Sequence, residues 1–312
     1  MSRSLPILFL FLLAAGLDPP AAFSDADKPW WPSKYGARDQ IGSLNEITPG
    51  KIVEAAKLVK TGRVYDLGRV IHENIPRFPG RSWHQTLIPD SIPKSKNRLA
   101  WIIESVTGTY QVGTQLDGLN HLMIGDRFYN GFRRDEIVEE TGTSQLGVET
   151  IPPIVTRGLL IDLTEGLPGG RLNAGEVITV KRIQDFLARH NLQVTRGDAL
   201  LFHTGWGSLW EKPEEFLKGE PGPGLETAHW LVAQGIAVTG CDTWSFGPVP
   251  SENPERPFEV PQTLNVRHGV FILENLKTEE MAKAKVFEYL LVVTHAKTKG
   301  STASQVSPAA VV

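Results

Sequence analysis

The segment Gln111-Val-Gly-Thr-Gln-Leu-Asp-Gly-Leu-Asn-His121 gathers the side chains best suited to chemistry. If Gln111 to Asp117 is extended, the two-residue period of a strand puts Gln111, Gly113, Gln115 and Asp117 on one face. Three oxygen-bearing side chains then point one way, and Gly118 allows a turn that brings His121 back toward them. Two amides, a carboxylate and an imidazole could hold a metal ion and take a proton from water beside it. Spacing alone leaves a plainer reading open, a polar strand edge whose Asp and Asn sit in a turn.

Other chemistry-bearing residues have ordinary settings. Glu274 ends an apolar run of strand length and on the residues alone reads as a strand-end carboxylate paired with a surface cation. His203, within Leu200-Leu-Phe-His-Thr-Gly205, reads as a buried, hydrogen-bonded core imidazole. Trp83 and His84 fall in a long loop and could close over a substrate or form a surface turn. Trp206, Trp210 and Trp244 could line an apolar pocket or belong to a strand-rich core. His72, His190, His229, His268 and His295 have no spacing that pairs them as metal ligands. The sequence has no Gly-x-Ser-x-Gly, His-Glu-x-x-His, P-loop or Gly-x-Gly-x-x-Gly motif, so the usual serine hydrolase, zincin and nucleotide signatures are absent.

The elements around these residues belong to a chain of 312 residues with 32 Lys+Arg, 35 Asp+Glu and a formal charge of −3. A chain of this length can bury about three quarters of its extended surface. Near-balanced charge gives no basic field for nucleic acid and leaves a small molecule as the expected partner. Cys241 is the only cysteine, so there is no intrachain disulfide and no Cys-based metal cluster. Any metal must be held by His, Asp, Glu or neutral oxygen.

Residues 1–24 read as a secretory signal peptide. Arg3 precedes an apolar run from Leu5 to Leu17, followed by Pro19, Pro20 and small residues up to Ser24. The run is shorter than the ~20 residues that span a bilayer, so no stable membrane anchor is expected and the mature protein is expected to be secreted or periplasmic. Residues 25–312 show no internal repeat or linker and read as one domain.

Helix and strand signals alternate within it, giving a mixed α/β domain. Thr48 and Pro49 open a helix that Gly62 ends, Thr179 caps another running to about His190, and Leu225–Ala233 is a third. Apolar runs of strand length fall at Val64–Ile71, Leu99–Val106, Gly158–Leu163, Ala199–His203, Ile236–Gly240, Val270–Leu273 and Phe287–Val293. Two Pro-rich loops, about 73–98 and 245–262, are long enough to be functional and to select substrate.

The Gln111–His121 segment resembles the signature of the cyclase family, metal-dependent hydrolases that include kynurenine formamidase and isatin hydrolase. That motif reads His-x-Gly-Thr-His-x-Asp-x-Pro-x-His, and this chain keeps Gly113, Thr114, Asp117 and His121. Asp39-Gln-Ile-Gly-Ser-Leu-Asn45 with Ile47-Thr-Pro49, and Arg77-Phe-Pro-Gly80, resemble the family's amino-terminal blocks. Arg157-Gly-Leu-Leu-Ile-Asp162, Leu201-Phe-His-Thr-Gly-Trp206 and Asp242-Thr-Trp244 resemble its central strands. Glu274-Asn-Leu276 and Gly300-Ser-Thr-Ala-Ser304 with Pro308 resemble its carboxy-terminal ones. The resemblance implies a swivelling β/β/α fold and a homo-oligomer.

It also implies roles. Asp117 would be a metal ligand, His121 the general base, and Glu274 a ligand or acid–base partner. Gln111 and Gln115 stand where the family most often has metal-binding His, Leu119 replaces its Pro, and Pro261 falls where it has another His. Amide oxygens in place of imidazoles should tilt a Gln111, Gln115, Asp117 site from Zn²⁺ toward Mn²⁺. The resemblance thus implies an arylformamidase-like hydrolase of amide, formamide or lactam bonds. The alternative is a non-catalytic, secreted small-molecule-binding protein that keeps the fold without the metal centre.

Overall fold

The structure, a computed structural model, describes residues 29–312; the signal peptide expected at 1–24 lies outside them. Eleven strands carry the architecture: β1 (Val64–Asp66), β2 (Trp83–Ser91), β3 (Ala100–Gly108), β4 (Gln115–Asp117), β5 (Ile154–Asp162), β6 (Ala199–His203), β7 (Val238–Cys241), β8 (Phe271–Glu274), β9 (Glu288–Val293), β10 (Ala303–Gln305) and β11 (Ala309–Val311). Nine form one sheet in the order β1-β11-β9-β5-β6-β7-β8-β4-β10. The central four, β5 to β8, run parallel, and antiparallel strands flank them on both sides.

β6 and β8 are near-continuous apolar runs, and β5 becomes one from Gly158 to Ile161, because both faces of the parallel strands are covered there. Leu160, Leu201 and Leu273 point into one core. Leu159, Ile161, Leu200, Phe202 and Ile272 point into the other. That second core takes Ile183 and Phe186 from helix α2 (Val180–Arg189) and Ala228 and Leu231 from helix α3 (Leu225–Gln234). β9 has only one such face, and its burial alternates, with Tyr289, Leu291 and Val293 inside.

Capping sets the helix starts. Thr48 Oγ1 accepts from Lys51 N at 3.1 Å to open helix α1 (Pro49–Ala56), and Thr179 Oγ1 accepts from Arg182 N at 3.3 Å to open α2. α1 stops at Ala56 rather than at Gly62, because Lys57 N donates to Glu54 O and tightens the chain into turns. β1 likewise ends at Asp66, five residues short of the end of the apolar run that it begins.

The first long loop is only partly a loop. From Trp83 it becomes β2, which pairs over nine residues with β3 as a separate hairpin, Trp83 opposite Gly108 and Ser91 opposite Ala100. Apart from Trp83, both strands are exposed throughout. The second loop ends in a short helix, Glu259–Gln262. No helix among the described residues is long and apolar enough to cross a membrane.

Candidate active site

β4 is three residues long and depends on its neighbours for its place. Gln115 lies opposite Glu274 of β8 on one side and opposite Gln305 of β10 on the other. The expected extended run from Gln111 to Asp117 is not observed: Gly113, at φ 69°, turns the chain before the strand begins. A Cβ at that position would lie 2.8 Å from Ile71 Cγ1, so the turn needs glycine in both conformation and space. Thr114 then pins the chain, accepting from Arg69 N at 2.9 Å and donating to Asn275 O at 2.7 Å.

Gln115, Asp117 and Glu274 come together, whereas Gln111 does not join them in one extended face. Gln115 Nε2 donates to Glu274 Oε2 at 2.8 Å and to Asp117 Oδ1 at 3.3 Å. Gln111 Nε2 instead donates to Thr302 Oγ1 at 2.8 Å and lies 3.4 Å from His121 Nδ1. His121 is returned by the expected turn, in which His121 N donates to Gly118 O. A Cβ on Gly118 would meet Asn120 Oδ1 at 2.5 Å. Burial, and then the neighbouring Asp117, hold the Glu274 carboxyl well above the usual range, with Arg81 opposing the shift.

Asp117, His121, Glu274 and Arg81 form the polar wall of a cavity of about 120 Å³. Phe78, Trp244 and Phe258 form an aromatic wall, with ring centroids 5.3 Å apart for Phe78–Trp244 and 6.1 Å for Trp244–Phe258. Arg81 lies over Phe78, 5.6 Å from its centroid, and donates to Gln111 O at 3.0 Å. Trp244 Nε1 is buried without a hydrogen-bond partner, a donor that a ligand oxygen would satisfy. Glu220 fixes the backbone beneath, accepting from Trp244 N at 2.7 Å and Ser245 Oγ at 2.5 Å. Burial pushes the Glu220 carboxyl up to about 8.

Among the described residues no three His, Cys, Asp or Glu side chains converge as a metal-ion set. The donors that do converge are Asp117, Glu274 and the Gln115 amide. Gln115 Oε1 is buried and unpartnered, and an amide offers an acceptor on one arm and donors on the other. Here the Nε2 arm faces the carboxylates, so Oε1 would join them only with the amide turned over; two carboxylates with that oxygen would then make an all-oxygen set, which fits an oxygen-preferring divalent ion better than zinc.

The remaining expectations sort by burial. Glu274 is buried against Gln115 and is not a surface ion-pair partner. His203 lies in the core, hydrogen-bonded through Nδ1 to Thr278 Oγ1 at 2.7 Å, and Cys241 is fully buried. His84 is an exposed partner of Glu73, while Trp206 and Trp210 pack in a core cluster with Trp244. Pro261 does line the cavity, at the position where the resemblance places a lost His. Arg81, Glu220 and Phe258 were not picked out from the sequence. Arg81 directly follows the Arg77–Gly80 block, a signal that could have found it, whereas Glu220 and Phe258 give none.

Residues 65–248 match the Cyclase family profile, and the chain belongs to that family. No curated protein matches it. Among solved structures, a novel cyclase is 28% identical, with TM-score 0.80 over 89% of this chain and 98% of that one. Isatin hydrolase A from Ralstonia solanacearum is 20% identical, with TM-score 0.64 over 85% and 97%. A predicted metal-dependent hydrolase from Bacillus stearothermophilus is 19% identical, with TM-score 0.52 over 80% and 98%. The last two share the fold.

Proposed function

We propose that this protein is a hydrolase that opens an amide, formamide or lactam bond of a small substrate, in the manner of an arylformamidase. The observation that carries this reading is the convergence of Asp117, His121, Glu274 and Arg81 on one aromatic-walled cavity. Asp117, Glu274 and Gln115 would hold a divalent ion, Mn²⁺ in preference to Zn²⁺. Such an ion, when bound, lowers the pKa of water and offsets negative charge on the carbonyl oxygen. His121 takes the proton of the attacking water at a ring nitrogen. Arg81 and Trp244 Nε1 hold a substrate oxygen, and Phe78, Trp244 and Phe258 pack against a flat substrate and exclude water.

One observation favours a second reading. The Gln115 amide already donates to both carboxylates, so the pair is held without an ion, as suits a binding protein that keeps the fold. Metal analysis of purified protein, with assays on N-formylaniline and isatin, separates the two. The hydrolase reading expects stoichiometric divalent metal and turnover lost on chelation. It also expects His121→Ala to lower kcat by about 10²–10⁴ with an unchanged circular dichroism spectrum. Binding of either compound without metal or turnover would move the assignment to the second reading.

A further inference from the structure

We infer that the cavity behind Phe258 is a second subsite, which takes the substituent of the substrate remote from its scissile bond and favours a cationic one. With the scissile amide at Asp117 and His121, the hydrolase reading on which this rests, the remainder of the molecule needs room elsewhere. The reaction cavity, at about 120 Å³, cannot enclose a whole aryl amide, since one benzene ring already occupies a cavity of ~150 Å³. A second cavity of about 360 Å³ adjoins it, within the ~300–1,000 Å³ usual for small-molecule sites. Phe258 and Pro261 line both and form the partition between them. Pro261 is buried in a short helix, whereas Phe258 is 38% exposed. The Phe258 backbone is fixed on both sides: its N donates to Ser251 Oγ at 3.4 Å, and its O accepts from Gln262 N at 3.2 Å. At φ 57° that backbone is left-handed, a conformation that costs a phenylalanine and that here sets its ring between the cavities. The ring alone is left to swing, and when it does the two spaces join.

The outer cavity has an apolar floor of Gly247, Pro248 and Val260 beneath a charged rim. On the rim Arg256 is paired with Glu259, Nη2 to Oε1 at 2.7 Å. Glu252 supplies a second carboxylate, whose Oε2 accepts from Leu225 N at 2.7 Å and so caps α3. Two carboxylates against one guanidinium leave the rim negative. An ammonium group is therefore favoured there, and a carboxylate is repelled.

Calorimetry on the purified protein with aniline, 4-(2-aminoethyl)aniline and (4-aminophenyl)acetate, ring fragments of the kind deformylation leaves, reads the subsite without turnover. The aminoethyl compound should bind at least tenfold more tightly than aniline, about 1.4 kcal/mol, and the acetate no more tightly than aniline. A Cβ on Gly247 would lie 3.5 Å from Val260 Cβ, so Gly247→Leu fills the outer cavity and should erase the gain. Glu252→Gln keeps an oxygen for Leu225 N and should narrow the preference for the cation over the anion with an unchanged circular dichroism spectrum. Phe258→Gly removes the cost of swinging the ring and should widen the gap between the aminoethyl compound and aniline by about threefold. It should also unfold at higher urea than Phe258→Ala, which loses the same ring but keeps a side chain at positive φ. An aminoethyl compound that binds no tighter than aniline, a gain that survives Gly247→Leu, or a charge preference unmoved by Glu252→Gln would each overturn the subsite. Any of these beside turnover of N-formylaniline rejects the subsite alone, whereas the tenfold gain without turnover keeps the subsite and rejects the hydrolase reading.

Discussion

Buried carboxyls make the residue-scale behaviour unusual, and Glu220 gives the cleanest pH signature. Its carboxyl is pushed up to about 8 in the folded protein, so it keeps a proton that the unfolded chain releases near the ordinary glutamate value. Its contribution to stability is therefore full at about pH 4 and is lost as pH rises through about 8. Glu220→Gln mimics the protonated acid, with an oxygen for Trp244 N–H and an NH₂ for Ser245 Oγ. Urea titrations at several pH values should show wild type losing stability between pH ~5 and ~8 and the variant losing distinctly less. Parallel curves would refute the buried-acid account.

At the same scale, Gln115→His puts an imidazole beside Asp117 and Glu274. Zinc affinity measured by calorimetry should rise at least tenfold, about 1.4 kcal/mol, because imidazole is a better zinc donor than an amide oxygen. No gain would mean that the three side chains do not share an ion. Asp117, His121 and Glu274 were legible in the sequence because a short motif and a family resemblance carry them. The Trp244 donor and the Glu220 support were not, since their roles exist only after distant segments pack.

Among the elements, the turn before β4 controls the site more than the strand does. Gly113→Ala must adopt a positive φ and meet Ile71, which should cost on the order of 1–3 kcal/mol and displace Gln115 and Asp117. A urea midpoint like that of wild type would show that the turn relaxes freely. β6 was legible to the residue, Ala199–His203, because an apolar run buried on both faces has no competing pattern. β2 was missed because Pro89 and the polar residues around it hide its alternation, and a hairpin without a core behind it has no burial pattern to read. The extended reading of Gln111–Asp117 failed on one residue, since period two says nothing of a glycine at positive φ.

For the whole molecule, the alternating helices and strands announced a mixed α/β domain, but the sheet order did not follow from them. That order depends on pairings between segments far apart in the chain. The export reading belongs to this scale too: amino-terminal sequencing of protein recovered outside the cytoplasm should begin near Asp25, and an intact Met1 would refute cleavage.

The three-residue strand that carries Gln115 and Asp117 is bordered by residues 271–274 and 303–305. During synthesis, the two sides of the site are thus separated by more than half the chain. Contacts of such long sequence separation form late and slowly, because loop closure must precede them. A ribosome-bound chain that has emerged only as far as β7 already carries Asp117 and His121 but not Glu274. The cavity that joins Asp117, His121 and Glu274 therefore cannot exist while the chain is being made, and it is complete only when the carboxy-terminal strands have been delivered and paired.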